Sequence, residues 1–149
     1  MDDKIQMRLV RQRCDFSCGI ACAAMVSGRT FHEVKQKYGA IGNGIGPRDM
    51  DWLLRSLHVR FERLLYPEIR RTFPHIIVVP SLNHVAGTHY VVLHFDGRWN
   101  VLDPQRGRDG KKWYALNRND PTGVQLCGYS ELIRITSPAF EEAAPLGIG

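Results

Sequence analysis

The chain has 149 residues, 44% hydrophobic and 23% charged, so it is long enough for one soluble domain that needs no disulfides. Its net charge is +5, but the basic residues lie in scattered pairs, which disfavours nucleic-acid binding and leaves an acidic partner open. No stretch reaches the roughly eighteen apolar residues of a membrane span, and the acidic start does not resemble a signal peptide, so we expect a cytoplasmic protein.

The first part of the chain predicts a short strand and then a buried helix. Residues 5–10 alternate weakly between apolar and polar side chains, which is typical of a strand. Ser17 is a good N-cap residue, so the Ala-rich run after it predicts a helix that starts at Cys18. Gly28 is a natural C-terminal residue for this helix. Its small side chains would allow a sheet to approach closely.

Two further helices are predicted next, each with its own start signal. Thr30 and Glu33 have the spacing of a capping box, and Gly39 would end this second helix. Pro47 suits the first position of a third helix. The apolar residues of the third helix recur on one face: Met50, Leu53, Leu54 and Leu57.

The second half of the chain changes to strand patterns. We predict an edge strand at 58–65, a central strand at 75–79, a hairpin of 89–95 and 98–102, and a last strand at 132–135. Asp96 and Gly97 form the hairpin turn. The fold class is therefore α+β, with N-terminal helices packed on a C-terminal antiparallel sheet. Residues 1–136 form one domain, and 137–149 form a flexible C-terminal tail.

Four residues predict a nucleophilic site. A thiol at Cys18 would feel the partial positive charge of the helix start, which favours thiolate, and Gln12 could place an amide beside the sulfur. His89 and Asp103 lie at the same open end of the hairpin, where a carboxylate could orient an imidazole. If that end faces Cys18, the chain holds a nucleophile, a base, an orienting acid and an oxyanion donor.

Other residues compete for these roles. His84 lies near His89 in sequence and is the serious rival for the base, while Asn100 and Gln105 are weaker alternatives to Asp103. The spacing of Cys14, Cys18 and Cys22 is not a common zinc pattern, so we expect free thiols, no metal and no cofactor. Cys22 is expected in the core. Under oxidising conditions, a disulfide could form between Cys14 and Cys18.

The same residues occur in motifs that resemble those of the bacteriocin-processing, double-glycine leader peptidases. The matching stretches are Gln12 with Cys18–Met25, then His89–Leu93, then Leu102–Pro104, and the likeness covers about residues 5 to 135. The resemblance implies a papain-like cysteine peptidase fold. It also implies that Cys18 is the nucleophile, His89 the general base, Asp103 the orienting residue and Gln12 part of the oxyanion hole.

The resemblance implies a thiol endopeptidase that cuts peptide or protein substrates, favouring small Gly-Gly-like residues before the cut. The family usually has an acidic residue directly before the nucleophile, where this chain has Ser17. No transporter segments follow, so we expect a free-standing processing peptidase or a toxin or effector protease in bacterial competition, with an immunity protein as inhibitor. The alternatives are a non-catalytic peptide- or protein-binding module, and an acyl transferase or deamidase with the same triad.

Overall fold

The structure is a computed structural model that describes residues 7–39, 44–64, 72–85, 87–115 and 131–137. Three helices come first: α1 (Cys18–Ser27), α2 (Phe31–Tyr38) and α3 (Pro47–Ser56). Five strands follow: β1 (Arg60–Leu64), β2 (His75–Pro80), β3 (Thr88–Phe95), β4 (Trp99–Leu102) and β5 (Glu131–Ser137). This arrangement confirms the predicted α+β class and the antiparallel sheet.

The predicted helix signals act as expected in α2 and α3. The Thr30 hydroxyl accepts from the Glu33 backbone N–H, and the Glu33 carboxylate accepts from the Thr30 backbone N–H, which completes the capping box. Gly28 ends α1 with a φ of 71°, a left-handed conformation that glycine adopts without strain. The apolar face of α3 is buried as predicted.

The sheet has the strand order β1-β5-β2-β3-β4, and every neighbouring pair is antiparallel. β1 is at an edge and β2 is central, as predicted. The strand predicted at 132–135 is present as β5, which is inserted between β1 and β2 and hydrogen-bonds to both. It runs to Ser137, and the rest of the predicted C-terminal tail lies outside the described residues.

The predicted strand at 5–10 is wrong where the structure describes it. Residues 7–10 belong to no strand, and residues 5 and 6 lie outside the described part of the chain. The side chains of Met7, Leu9 and Val10 instead pack against the hydrophobic core beside α1. Their apolar character therefore reflects packing against the hydrophobic core, where no alternation between two sheet faces is needed.

Helix α1 lies at the centre of the core. All of its residues after Cys18 are buried, between the other two helices and the sheet face that carries Ile76, Val92 and Ile133. Gly19 permits a close approach, because a Cβ there would lie 3.0 Å from the Cδ1 atom of Ile45. A helix buried on all sides fixes the position of its first residue, Cys18, relative to the sheet. None of the described helices is both long and apolar enough to cross a bilayer.

Candidate active site

The β3–β4 hairpin brings His89 and Asp103 together, as the sequence predicts. His89 is the second residue of β3, and Asp103 directly follows β4. The register pairs Val92 with Leu102, so both residues extend past the last paired positions at the open end of the hairpin. The Nε2 atom of His89 lies 2.6 Å from Oδ1 of Asp103. Both side chains are buried, with 7% and 1% of their residue surface exposed.

Backbone groups hold the Asp103 carboxylate in place. Its Oδ1 atom also accepts a hydrogen bond from the Gln105 backbone N–H at 2.9 Å, and its Oδ2 atom accepts one from the Tyr114 backbone N–H at 2.8 Å. Both carboxylate oxygens are thus bonded, which compensates a buried charge. No sequence pattern indicated the Tyr114 contact, since any residue other than proline supplies a backbone N–H.

Cys18 is the first residue of α1, and its half-buried side chain lies close enough to His89 to raise the pKa of the imidazole. The role predicted for Ser17 is wrong in one respect. It occupies the N-cap position, but its hydroxyl makes no cap bond. The hydroxyl accepts instead from the backbone N–H groups of Arg13 and Cys14, at 2.9 and 3.0 Å. Since Ser17 folds the preceding loop, the first-turn N–H groups of α1 lack a side-chain cap and face the region of the thiol.

The surroundings of His89 favour its protonated form. Burial lowers the pKa of the imidazole, but the hydrogen bond to Asp103 and the proximity of Cys18 outweigh it and raise the pKa to about 9. Because Nε2 points at Asp103, the ring nitrogen left for the thiol is Nδ1. The arrangement places the imidazole between a carboxylate and a sulfur, as the base of a thiol nucleophile requires.

Gln12 lies in a buried position next to the acid. Its backbone N–H donates to the Pro104 carbonyl at 3.1 Å, which ties it to the residue after Asp103. Its side-chain Nε2 donates one hydrogen to the Cys14 carbonyl at 2.8 Å, and only 3% of the residue is exposed. A second N–H on the same nitrogen remains for another acceptor. The structure thus brings Gln12 beside the loop that leads into Cys18.

Asp15, which the sequence analysis did not assign to the site, joins three loops around it. Its Oδ1 atom lies 3.2 Å from Lys111 Nζ and 3.4 Å from an Arg108 nitrogen, and its Oδ2 atom lies 4.0 Å from His84 Nε2. The hydrogen bond with Lys111 is the main cause that lowers the pKa of Asp15. Arg108 also donates to the Gln105 side chain at 2.7 Å.

Each loop in this network lies next to one candidate catalytic residue. Asp15 precedes Cys18, His84 precedes His89, and Arg108 follows Asp103 in the chain. The signal available in the sequence was an acidic residue three positions before the nucleophile. Without the structure nothing indicated which cations it would meet.

The rival residues occupy other positions. His84 is exposed and stacks on Phe16, with ring centroids 6.1 Å apart, and the only acid that it approaches among the described residues is Asp15. The Asn100 amide donates to Asp96 and to the Arg98 carbonyl, so it stabilises the hairpin turn. Gln105 bonds to Asp103 and does not replace it.

The cysteines divide by environment. Cys22 is fully buried, and burial, followed by the nearby Cys18, raises the pKa of its thiol well above the usual value, so it is a core residue as predicted. Cys14 is exposed, and Cys18 is half-buried. Cys127 lies outside the described residues. Among the residues that the structure describes, no three His, Cys, Asp or Glu side chains form a group that could hold a metal ion.

Comparison with known proteins adds no family to this geometry. No protein-family model matches the chain, and a search of curated protein sequences found no match either. Any function must therefore be argued from the residues themselves.

Proposed function

We propose that this chain is a cysteine peptidase of papain-like type, in which Cys18 attacks peptide bonds through an acyl-enzyme. The observation that carries the proposal is the buried His89 ring, held through Nε2 by Asp103 at 2.6 Å and close to Cys18 at the start of α1. A thiol, an imidazole and a carboxylate in this order form the nucleophile, base and orienting group of covalent catalysis.

In the acylation step, the Cys18 thiolate attacks the carbonyl carbon of the scissile peptide bond. The negative charge moves to the carbonyl oxygen, where the Cys18 backbone N–H and the remaining N–H of Gln12 would donate hydrogen bonds. The C–N bond then breaks, and the His89 imidazolium gives its proton to the departing amine. The product is a thioester on Cys18 and a neutral His89.

In the deacylation step, His89 takes a proton from a water molecule that attacks the thioester. The C–S bond breaks, the carboxylic acid product leaves, and the thiolate–imidazolium pair is restored. Asp103 keeps the Nε2–H group of the ring pointed at itself throughout, so that Nδ1 faces the reacting atoms. Its charge stabilises the imidazolium without taking the proton.

The substrate class is inferred from the resemblance to double-glycine leader peptidases. The motifs around Gln12 and Cys18, His89, and Asp103 support a preference for small residues before the cut. The biological role that we propose is a processing peptidase or an effector protease that acts on proteins of a rival cell.

The test compares a cellular proteome treated with the wild-type protein and with the Cys18→Ala variant, with new peptide N-termini identified by mass spectrometry. We expect N-termini that appear only with the wild-type protein and that follow small residues. Their absence, together with glutamine-to-glutamate conversion or new amide links in target proteins, would replace hydrolysis with deamidation or acyl transfer.

A further inference from the structure

A cleft of about 650 Å³ lies between residues 8–13 and the junction of α1 with α2. Four arginines line it, and all four are exposed: Arg8, Arg11, Arg13 and Arg29. Apolar side chains form part of its surface, including Leu9 and the largely buried Phe31. The cleft thus combines a cationic rim with an apolar floor. Neither the arginines nor these apolar side chains take part in the proposed reaction at Cys18.

Two of these arginines are held in place without being neutralised. The Nε atom of Arg11 donates to the Arg106 carbonyl at 2.8 Å, and its guanidinium packs against Gly107, where a Cβ would lie 2.8 Å from it. The Arg13 guanidinium lies 5.1 Å from the centre of the Phe31 ring. Neither contact involves a carboxylate. Such fixed cations lose little side-chain entropy when an anion binds.

Little negative charge offsets these cations within the described part of the chain. The one ion pair shown for the four arginines joins Arg29 to Glu33 at 3.9 Å, and the Glu33 carboxylate is already engaged at the Thr30 backbone N–H. Guanidinium groups match carboxylates in a planar, two-bond geometry. The chemistry of the rim therefore fits acidic side chains.

The backbone of the cleft favours a polypeptide over a nucleic acid. Residues 8–10 belong to no strand, and no backbone hydrogen bond joins them to another described residue. An extended peptide can bond to such main-chain groups and place alternate side chains on the apolar floor. Nucleic-acid binding usually needs stacking surfaces or a continuous basic stripe, whereas Phe31 is 5% exposed and already faces Arg13.

The cleft also shares one residue with the candidate active site. Gln12 is among its lining residues, and the same residue bonds to Pro104 beside Asp103. Arg29 marks the far end of the cleft, beyond the C-terminus of α1, whereas Cys18 starts that helix. A ten-residue helix is about 15 Å long, so the far end lies several extended residues from the scissile bond.

We infer that this cleft is a second binding site, away from the scissile bond, for an acidic stretch of the substrate polypeptide that also carries apolar side chains. The inference rests on the proposed peptidase function for the identity of the bound chain. The acidic side chains pair with the arginines of the rim, and the apolar side chains lie over Leu9 and Phe31. This site selects substrates by a sequence that is not itself cut.

The test measures binding alone, on the Cys18→Ala protein, so it does not depend on turnover. The probes are two fluorescein-labelled peptides, one of alternating Glu and Leu and one of alternating Lys and Leu, followed by fluorescence anisotropy. We expect the Glu-Leu peptide to bind, with an affinity that falls as salt is added. The Lys-Leu peptide should not bind. Charge reversal by Arg8→Glu with Arg29→Glu should lower the affinity for the Glu-Leu peptide roughly tenfold or more.

The matched control is Arg60→Glu with Arg98→Glu, which changes the net charge equally at exposed positions outside the cleft. This control should lose much less affinity, and Arg8→Gln with Arg29→Gln should lie between the wild-type and the reversed protein. Equal losses in the control and the cleft variant would overturn the inference, as would equal binding of both peptides. A single-stranded oligonucleotide that binds more tightly than the Glu-Leu peptide, with the same dependence on Arg8 and Arg29, would assign the cleft to nucleic acid.

If this binding is found and the Cys18-dependent cuts are not, the cleft stands and the peptidase assignment fails. If the cuts are found without this binding, the peptidase assignment stands and the inferred binding site fails.

Discussion

The Nε2 atom of His89 donates toward Oδ1 of Asp103 across 2.6 Å, and this contact decides which ring nitrogen meets the nucleophile. With Nε2 committed to the acid, a neutral His89 has a free lone pair on Nδ1, the side of the ring that faces Cys18. The ring can therefore accept the thiol proton and later return it to a leaving amine.

Cys18 should be the most reactive thiol of the chain. It is half-buried at the start of α1 and lies beside the His89 base, whereas Cys22 is buried and its pKa is raised. Brief treatment with limiting iodoacetamide followed by peptide mapping should label Cys18 before Cys14, Cys22 and Cys127. Preferential labelling of Cys14 with activity retained would remove Cys18 from the nucleophile role.

His89 and Asp103 should differ in the cost of their loss. His89→Ala should abolish turnover of a peptide identified from the proteome cuts, because it removes the base that lies beside Cys18. Asp103→Asn should be slow but measurable, since the orienting residue stabilises the ring and does not react. His84→Ala is the matched control and should keep most of its activity. An inactive His84→Ala beside an active His89→Ala would reverse the assignment.

The raised pKa of His89 predicts a pH-dependent part of the stability. The folded value is about 9 and the ordinary value is 6.5, so the stabilisation is fully present below about pH 6.5 and is lost as the pH rises through 9. The difference in free energy of unfolding between wild-type protein and His89→Gln should shrink between about pH 6 and pH 10, by an amount on the order of 3 kcal/mol. Urea unfolding at several pH values measures it.

The control for this experiment is the same substitution at the exposed His32, His32→Gln, which removes an imidazole that is not bonded to Asp103. A difference for His89→Gln that stays constant across the range would mean that the folded protein does not hold His89 as an imidazolium.

Gln12→Ala should lose about a hundred- to a thousandfold in kcat with little change in KM, because an oxyanion donor acts mainly in the transition state. The melting temperature of the variant should equal that of the wild-type protein. The Cys14 carbonyl that Gln12 contacts also accepts from the Ser17 backbone and hydroxyl groups, at 3.3 and 3.1 Å. Gln12→Glu keeps the shape without the donor and should lose kcat as well. A loss mainly in KM would indicate substrate binding, and unfolding would indicate support of the loop.

Asp15→Asn should lower kcat several-fold while Cys18 still alkylates, because Asp15 ties together the loops next to Cys18, His89 and Asp103. Partly exposed ion pairs are screened by salt, so wild-type kcat should fall toward that of the variant as salt is added. The variant should respond less to the same salt. Asp109→Asn, an exposed acid in the Asp103 loop, is the control and should behave like the wild-type protein.

The sequence alone determined the features that depend on neighbours along the chain. The capping box of Thr30 and Glu33, the Pro47 helix start and the Asp96-Gly97 turn are local, so their residues act the same way in any fold that contains them. The alternation around one hairpin turn likewise placed His89 and Asp103 at one end.

Only the tertiary structure decided what depends on distant parts of the chain. Whether Ser17 caps α1 or folds the preceding loop depends on which backbone groups come near its hydroxyl, and here Arg13 and Cys14 are nearer. The position of β5 between β1 and β2 depends on the packing of the whole sheet. The partners of Asp15 and the second carboxylate bond of Asp103 come from residues 11 to 96 positions away in the chain, and no local pattern specifies such contacts.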